Sequence, residues 1–220
     1  LAIELRRDRS FKLAIRRMVT SAAFRRSGRP DPVAADRDAE AVTLWRYPPR
    51  RLEAEAIRDT LLDSAGLLDR RAGGPGYSAF EPNDNYVRNY VPKERFGPET
   101  WRRMVYMTKV RMEQDPVFGL FDVPDAGQVC PRRTDSTSPL QALNLLNSNF
   151  VLDQSELLAE RLADVGATDP RAGVRLAFEL ILRRTPSDDE TADCLELVEA
   201  IGWPALPRAL WNTNEFLTIP

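Results

Sequence analysis

The sequence predicts a mainly α fold: an irregular multi-helix domain with a long central loop and one or two short strands. Three observations predict it. Apolar residues recur at helical spacing behind capping signals, first over residues 1–70 and again over 136–220. Between them, Ser78 to Pro98 keeps no helical period and is rich in Asn, Asp, Pro and Tyr. A single stretch, Trp101 to Met112, alternates in the manner of a strand, with Met104, Tyr106, Thr108 and Val110 on one side. The 220 residues read as one domain, helical over 1–70, loop and strand over 71–135, and helical over 136–220.

Leu1-Ala2-Ile3-Glu4-Leu5 is already helical in period, with no initiator Met or cap before it. The chain therefore reads as a C-terminal piece of a larger multidomain polypeptide, and the lack of a leader is uninformative about location. Ser10 caps the next helix, with Phe11, Ile15, Met18, Val19 and Ala22 on one face and Arg9, Lys12, Arg16 and Arg17 on the other. From Leu1 to Pro30 there are nine Lys or Arg against two acidic residues. Such a helix is a signature of a membrane surface or of nucleic acid. The basic residues are not interleaved with exposed aromatics, and the rest of the chain is acidic. The reading is a solvated face, or one docked on an acidic partner segment, with no nucleic acid.

Arg29-Pro30-Asp31-Pro32 ends this unit, and a surface loop follows. Trp45 to Pro49 is extended, because residues before proline avoid the helical region. Arg50 to Leu68 reads as a helix with Leu52, Ala56, Leu61 and Leu62 on one side. Its charges, Arg51, Glu53, Glu55, Arg58 and Asp59 among them, point to interhelical ion pairing in preference to a carboxylate active site. Ala72-Gly73-Gly74-Pro75-Gly76-Tyr77 breaks the chain without the spacing of a phosphate loop. In the loop beyond, Tyr77, Tyr86 and Tyr90 are candidate sugar contacts, or else pins that hold the loop on the core.

Asp115-Pro116 caps a short helix carrying Val117, Phe118, Leu120 and Phe121. Asp122 and Asp125 then approach Arg132 and Arg133 in sequence, so a charge-assisted cluster is expected. The same planar forks would accept a sulfate or carboxylate on a ligand. Ser138-Pro139-Leu140-Gln141 is a capping box with Pro at the first helical position. Leu140, Leu143, Asn144 and Asn147 share one stripe of that helix; the asparagines are expected partly inside, bonded to loop backbone. Further helices follow from Ser148 or Asn149 to Gly166, from Asp169-Pro170, from a second capping box at Ser187 to Gly202, and from Trp203 to Leu210.

The chain contains no histidine, which removes Ser–His–Asp and Cys–His catalysis, the H-E-x-x-H zinc site and histidine ligation of haem. Cys130 and Cys194 form no C-x-x-C; they make one disulfide or stay as separate thiols. No metal site and no catalytic residue is assigned. No apolar run approaches the roughly 20 residues needed to span a bilayer.

Several stretches carry a resemblance. They are Thr20-Ser21-Ala22-Ala23-Phe24, Arg50-Arg51-Leu52-Glu53-Ala54-Glu55-Ala56-Ile57-Arg58-Asp59 and Gly73-Gly74-Pro75-Gly76. Trp101-Arg102-Arg103-Met104-Val105-Tyr106, Phe121-Asp122-Val123-Pro124-Asp125, Val129 to Val151 and Asn212-Thr213-Asn214-Glu215-Phe216-Leu217 complete them. Together they resemble the planctomycete-type secreted domain of unknown function found at the C-terminal end of large proteins with a c-type-cytochrome-like module. The resemblance implies a secreted or periplasmic location, attachment to a haem-bearing module, and work on extracellular polysaccharide. It supplies no catalytic residues. Haem c would belong to the upstream part of the parent protein, and this chain would hold no cofactor.

The functional expectation is a non-catalytic scaffold or interaction domain of an exported, haem-associated protein, with the upstream domains of the same polypeptide as partners. The alternatives are an enzyme on complex carbohydrate and a sugar-binding module on the 77–96 loop. The enzyme would use two carboxylates, from Glu53, Glu55, Asp122 and Asp125, as acid and base.

Overall fold

A computed structural model of the chain describes residues 1–82, 90–111, 113–134 and 136–219. It contains ten α-helices and one two-stranded sheet among the described residues, so the fold is mainly α. Two compact units are formed, residues 1–51 with 218–220, and residues 52–217.

In the first unit, α1 (Ala2–Asp8) has no capping side chain, and α2 (Phe11–Val19) starts where the Ser10 hydroxyl accepts from the Leu13 N–H at 3.3 Å. Arg17 on α2 reaches back to Asp8 at 2.7 Å and ties the two helices together. Only Ala14 of α2 is buried; Phe11, Ile15, Met18 and Val19 are exposed. The helix is amphipathic as its spacing predicts, yet its apolar face lies open. The expected surface loop contains a further helix, α3 (Pro32–Arg37), because Asp31 accepts from the N–H groups of Val33 and Ala34 at 2.9 and 3.2 Å. β1 (Arg50–Arg51) pairs antiparallel with β2 (Thr218–Ile219), Arg50 opposite Ile219.

The second unit is a helical assembly. α4 (Ala54–Ala65) begins after Glu53, later than the sequence implies, and ends at Gly66, whose φ of 79° gives the left-handed cap. Beyond the central loop come α5 (Pro139–Asn147), α6 (Asn149–Gly166), α7 (Pro170–Ile181), α8 (Asp188–Ile201), α9 (Ala205–Trp211) and α10 (Asn214–Leu217). The caps match the sequence signals: both capping boxes form, at Ser138 and at Ser187, and Asp169 accepts from Arg171 N–H. α6, α7, α9 and α4 surround Leu158, Leu162, Val174, Phe178 and Leu206, all essentially inaccessible. Each such side chain contributes on the order of 2 kcal/mol relative to exposure. Trp211 on α9 donates its indole N–H to Ser64 on α4 at 3.0 Å, so the polar end of a fully buried ring is satisfied.

A second tryptophan explains two glycines. Gly166 ends α6 and Gly173 lies within α7, and the Trp203 indole fits the notch between them. A Cβ at Gly173 would fall 2.4 Å from the Trp203 ring, and one at Gly166 would fall 2.3 Å from it. Sequence reading assigns Gly166 only as a helix stop; its second role is to let the ring in.

The strand expected over 101–112 does not form. Met104–Tyr106 is a single 3₁₀ turn, and backbone pairing is confined to isolated bridges of Arg102 with Asp69 and of Met107 with Tyr77. The alternation is one of burial around a turn: Met104 points in and Val105 points out. No neighbouring segment runs beside it for more than a residue at a time among the described residues, so no ladder develops. Cys130 and Cys194 are both free, Cys130 exposed and Cys194 half-buried.

The α8 start is also held by charge. Arg184 forks onto Glu190 at 2.6 and 2.8 Å and onto Glu215 at 2.7 and 2.8 Å. Arg184, helped by the Ser187 N–H, holds the Glu190 carboxyl down at about 2 against an ordinary value of 4.5. A depressed acid stabilises the folded form above its unfolded value and loses that contribution as pH falls. The second unit is therefore expected to weaken between about pH 4.5 and pH 2, and Glu190→Gln is expected to flatten that part of the profile; denaturant midpoints measured across this range check it. Gly173→Ala is expected to destabilise the second unit by about 1–3 kcal/mol, because the indole must leave its notch. A midpoint unchanged in urea would show that the notch yields freely.

Candidate functional site

Two buried arginines organise the central loop. Arg58 lies on the inner side of α4 with Ile57 and Leu61, and only 3% of it is exposed. Its guanidinium lies 5.1 Å from the centroids of both the Tyr77 and the Phe150 rings. One terminal nitrogen donates to the Arg102 carbonyl at 2.9 Å, the other to the Thr100 carbonyl, and Asp59 stands 3.7 Å away. Burial lowers its pKa from the free value, with Tyr77, Asp59 and Asp115 opposing.

Arg102 repeats the arrangement one layer out. It donates to the carbonyls of Pro75 and Gly73 and to that of Arg71 at 3.1 Å, and its guanidinium covers the Tyr106 ring at 3.9 Å. The Tyr106 hydroxyl accepts from the Gly73 N–H at 2.7 Å. The glycine run thus serves a close approach. A Cβ at Gly76 would fall 2.6 Å from the Tyr106 carbonyl oxygen, and Gly73 has a φ of 77° that other residues resist. Asp59 finishes the set, accepting from the Met104 N–H at 2.8 Å and from Arg103 at 3.1 Å.

The charged residues singled out from sequence fall as follows. Arg133 grips Glu55 with both arms of its fork at 2.6 and 2.8 Å and reaches Glu53 at 3.4 Å. Burial works to raise the Glu55 carboxyl, but the Arg133 guanidinium outweighs it and leaves it below the ordinary value. Asp122, with a left-handed φ of 59°, accepts from the Thr134 hydroxyl at 3.0 Å and from the Ser136 N–H at 2.8 Å. Asp125 accepts from the Gly127 N–H at 2.8 Å. Arg132 is exposed and makes no ion pair with a described residue, so the pair Arg132–Arg133 does not act as one unit. Arg51 lies in β1, and Arg58 serves the loop. Burial pushes the Tyr77 hydroxyl well above the usual range, with the neighbouring Arg58 guanidinium opposing, and Tyr90 meets Phe80 edge-on with centroids 5.6 Å apart. Tyr86 lies outside the described residues.

The amide bonding expected of Asn144 and Asn147 belongs to Gln141. This fully buried side chain donates to the Leu120 carbonyl at 2.7 Å and to the Ser136 carbonyl at 3.2 Å, while its oxygen accepts from the Ser138 N–H at 3.2 Å. The signal was present in the capping box, whose last residue, Gln141, serves both as a cap and as a loop anchor. The reason for the exchange is the orientation of α5: it buries Gln141 and Leu145, so Leu140, Leu143 and Asn147 of the stripe face outward, while Asn144 sits partly inside as expected.

That outward stripe is the floor of a groove of about 490 Å³. One wall is Pro92, Lys93 and Phe96, laid along the start of α6 by the Phe96 N–H, which donates to Asp153 at 3.3 Å. The other is Pro116, Val117 and Leu120, fixed by Gln141. Leu143 is 56% exposed there, and the Asn144 side-chain oxygen and Ser148 hydroxyl have no hydrogen-bond partner among the described residues. The described lining includes no carboxylate, and Lys93 is its only charged group. Such a surface offers apolar contact and amide hydrogen bonds. It does not supply paired acid and base. Among the described residues no three of His, Cys, Asp and Glu converge as metal ligands.

Fold and site together define a helical domain built on arginine staples, with an apolar groove along α5. The chain belongs to the family PSD1, protein of unknown function (DUF1553), which matches residues 1–198. Comparison with curated proteins and with solved structures finds no match. No described helix is long and apolar enough to cross a membrane.

Arg58→Met is expected to destabilise the second unit by about 3–5 kcal/mol, since carbonyls of Thr100 and Arg102 lose their donor. Arg58→Lys should recover little of this, because an ammonium cannot span both carbonyls while lying flat between two rings. Urea unfolding followed by tryptophan fluorescence measures both, and equal midpoints for lysine and arginine would contradict the assignment.

Proposed function

We propose that this chain is a non-catalytic scaffold or interaction domain of an exported protein of the planctomycete type, whose polypeptide also carries a cytochrome-c-like module. The observation that supports a scaffold is the state of its acids. Glu53 and Glu55 share one arginine, Asp122 is held by Thr134 and Ser136, and Asp125 closes a turn. Carboxylates used in this way join distant segments, and two acids on a single guanidinium are poorly placed to exchange a proton with a sugar. Export and the haem association rest on the stretches that resemble such proteins, from Arg50 to Asp59 and from Val129 to Val151 above all.

The chain's own residues do not fit a c-type haem. It has no histidine, Cys130 is on an exposed loop, and Cys194 is half-buried on α8. The haem therefore belongs to another part of the polypeptide, and the partners of this domain are the upstream domains of that same chain. The groove on α5 is the surface best suited to receive them; extracellular polysaccharide is the other ligand considered.

The competing enzyme reading is tested by incubating the chain with a panel of neutral, sulfated and uronic-acid polysaccharides and measuring new reducing ends. No release is expected. Release that disappears in Glu55→Gln while the unfolding midpoint stays unchanged would overturn the scaffold reading.

A further inference from the structure

We propose that the first unit carries a docking surface for an anionic lipid bilayer, formed by α2 and the turn that follows it. The surface is independent of the scaffold reading. Phe11, Ile15 and Val19 project from one side of α2, 77%, 54% and 42% exposed, and Phe24 in the next turn is exposed with them. Lys12 and Arg16 border this apolar edge and make no ion pair with a described residue. The only two acids between Leu1 and Pro30, Glu4 and Asp8, are both engaged by Arg17, at 3.8 and 2.7 Å. What remains facing solvent is a strip of hydrocarbon edged by uncompensated cations, on a chain whose net charge is −2.

The sequence argues against a membrane because the basic residues are not interleaved with exposed aromatics and the rest of the chain is acidic. The structure places Phe11 and Phe24 on the exposed side. Size then separates the possible occupants. Nine residues at about 1.5 Å each and a helix about 10 Å wide give a face of roughly 140 Å², far short of the roughly 800 Å² per partner of a stable protein interface. A bilayer sets no such threshold. Apolar side chains enter the boundary of the acyl region, and each Lys or Arg near the surface adds about 1 kcal/mol against anionic headgroups. Charge complementarity therefore selects negatively charged lipid, and the contact is peripheral.

Co-sedimentation of the full chain with vesicles tests this, using phosphatidylcholine alone and phosphatidylcholine mixed with phosphatidylglycerol. Binding is expected to be about tenfold or more stronger to the mixed vesicles and to fall as salt is raised. Phe11→Ser with Ile15→Ser, and separately Lys12→Glu with Arg16→Glu, are each expected to abolish it while circular dichroism and unfolding stay unchanged, since these side chains are exposed. Equal binding to both vesicle types, no binding, or binding retained in both variants would overturn the proposal. Light scattering that shows a dimer lost in the same variants, without vesicle binding, would assign the face to a second copy of the chain and overturn it equally.

Discussion

The second unit depends on a buried guanidinium that is hydrogen-bonded to backbone. Removing the charge of Arg58 from water costs several kcal/mol, and Asp59, 3.7 Å away, offsets only part of it. The balance comes from the carbonyls of Thr100 and Arg102 and from the faces of Tyr77 and Phe150. This constraint accounts for how a long irregular segment is kept in place. Loop carbonyls without partners in a helix or a sheet must find donors, and Arg58 and Arg102 supply them from two sides. The glycines near residue 74 follow from the same turn: Gly73 and Gly74 take left-handed φ values of 77° and 81°, and Gly76 leaves room for the Tyr106 carbonyl.

Once the loop is fixed, the charged groups nearer the surface have little freedom. Arg133 binds α4 to the segment before α5, and Asp122 binds the 119–121 turn to the same segment. Gln141 then closes the gap from below, so α5 cannot rotate and its leucine and asparagine stripe is left outward. The groove is therefore a product of the staples. Most of these charges hold segments together and the groove on α5 is apolar and amide-lined, while a second concavity of about 490 Å³ is lined by Asp59, Asp63, Arg70 and Arg103.

Helix starts in the second half of the chain were legible from the sequence, since Ser138, Ser148, Asp169 and Ser187 each precede an apolar period and each sits at an N-cap. Capping is local physics, so a short window contains it. The 101–112 segment was not legible, because alternation reports which side chains are buried and says nothing of whether a neighbouring strand exists. Rotation of α5 was hidden for a related reason: Leu140 and Leu143 outnumber Gln141 in hydrophobicity, and only the distant carbonyls of Leu120 and Ser136 make the amide the buried member. Of the charged residues read as one cluster, Arg133 with Glu53 and Glu55 came together, and Arg58 turned out to serve the backbone. A guanidinium that binds carbonyls leaves no charge pattern in the sequence.

The account is tested most directly by hydrogen–deuterium exchange on Arg102→Leu. The Tyr77 N–H donates to the Tyr106 carbonyl at 3.1 Å and the Thr108 N–H to the Tyr77 carbonyl at 2.7 Å, and both bonds lie where Arg102 gathers the loop. Removal of the guanidinium should speed exchange at these two amides while α6, α7 and α9 keep their protection. Exchange unchanged at Tyr77 and Thr108, or accelerated evenly through the helices, would contradict the claim that arginine-to-carbonyl bonding holds the loop.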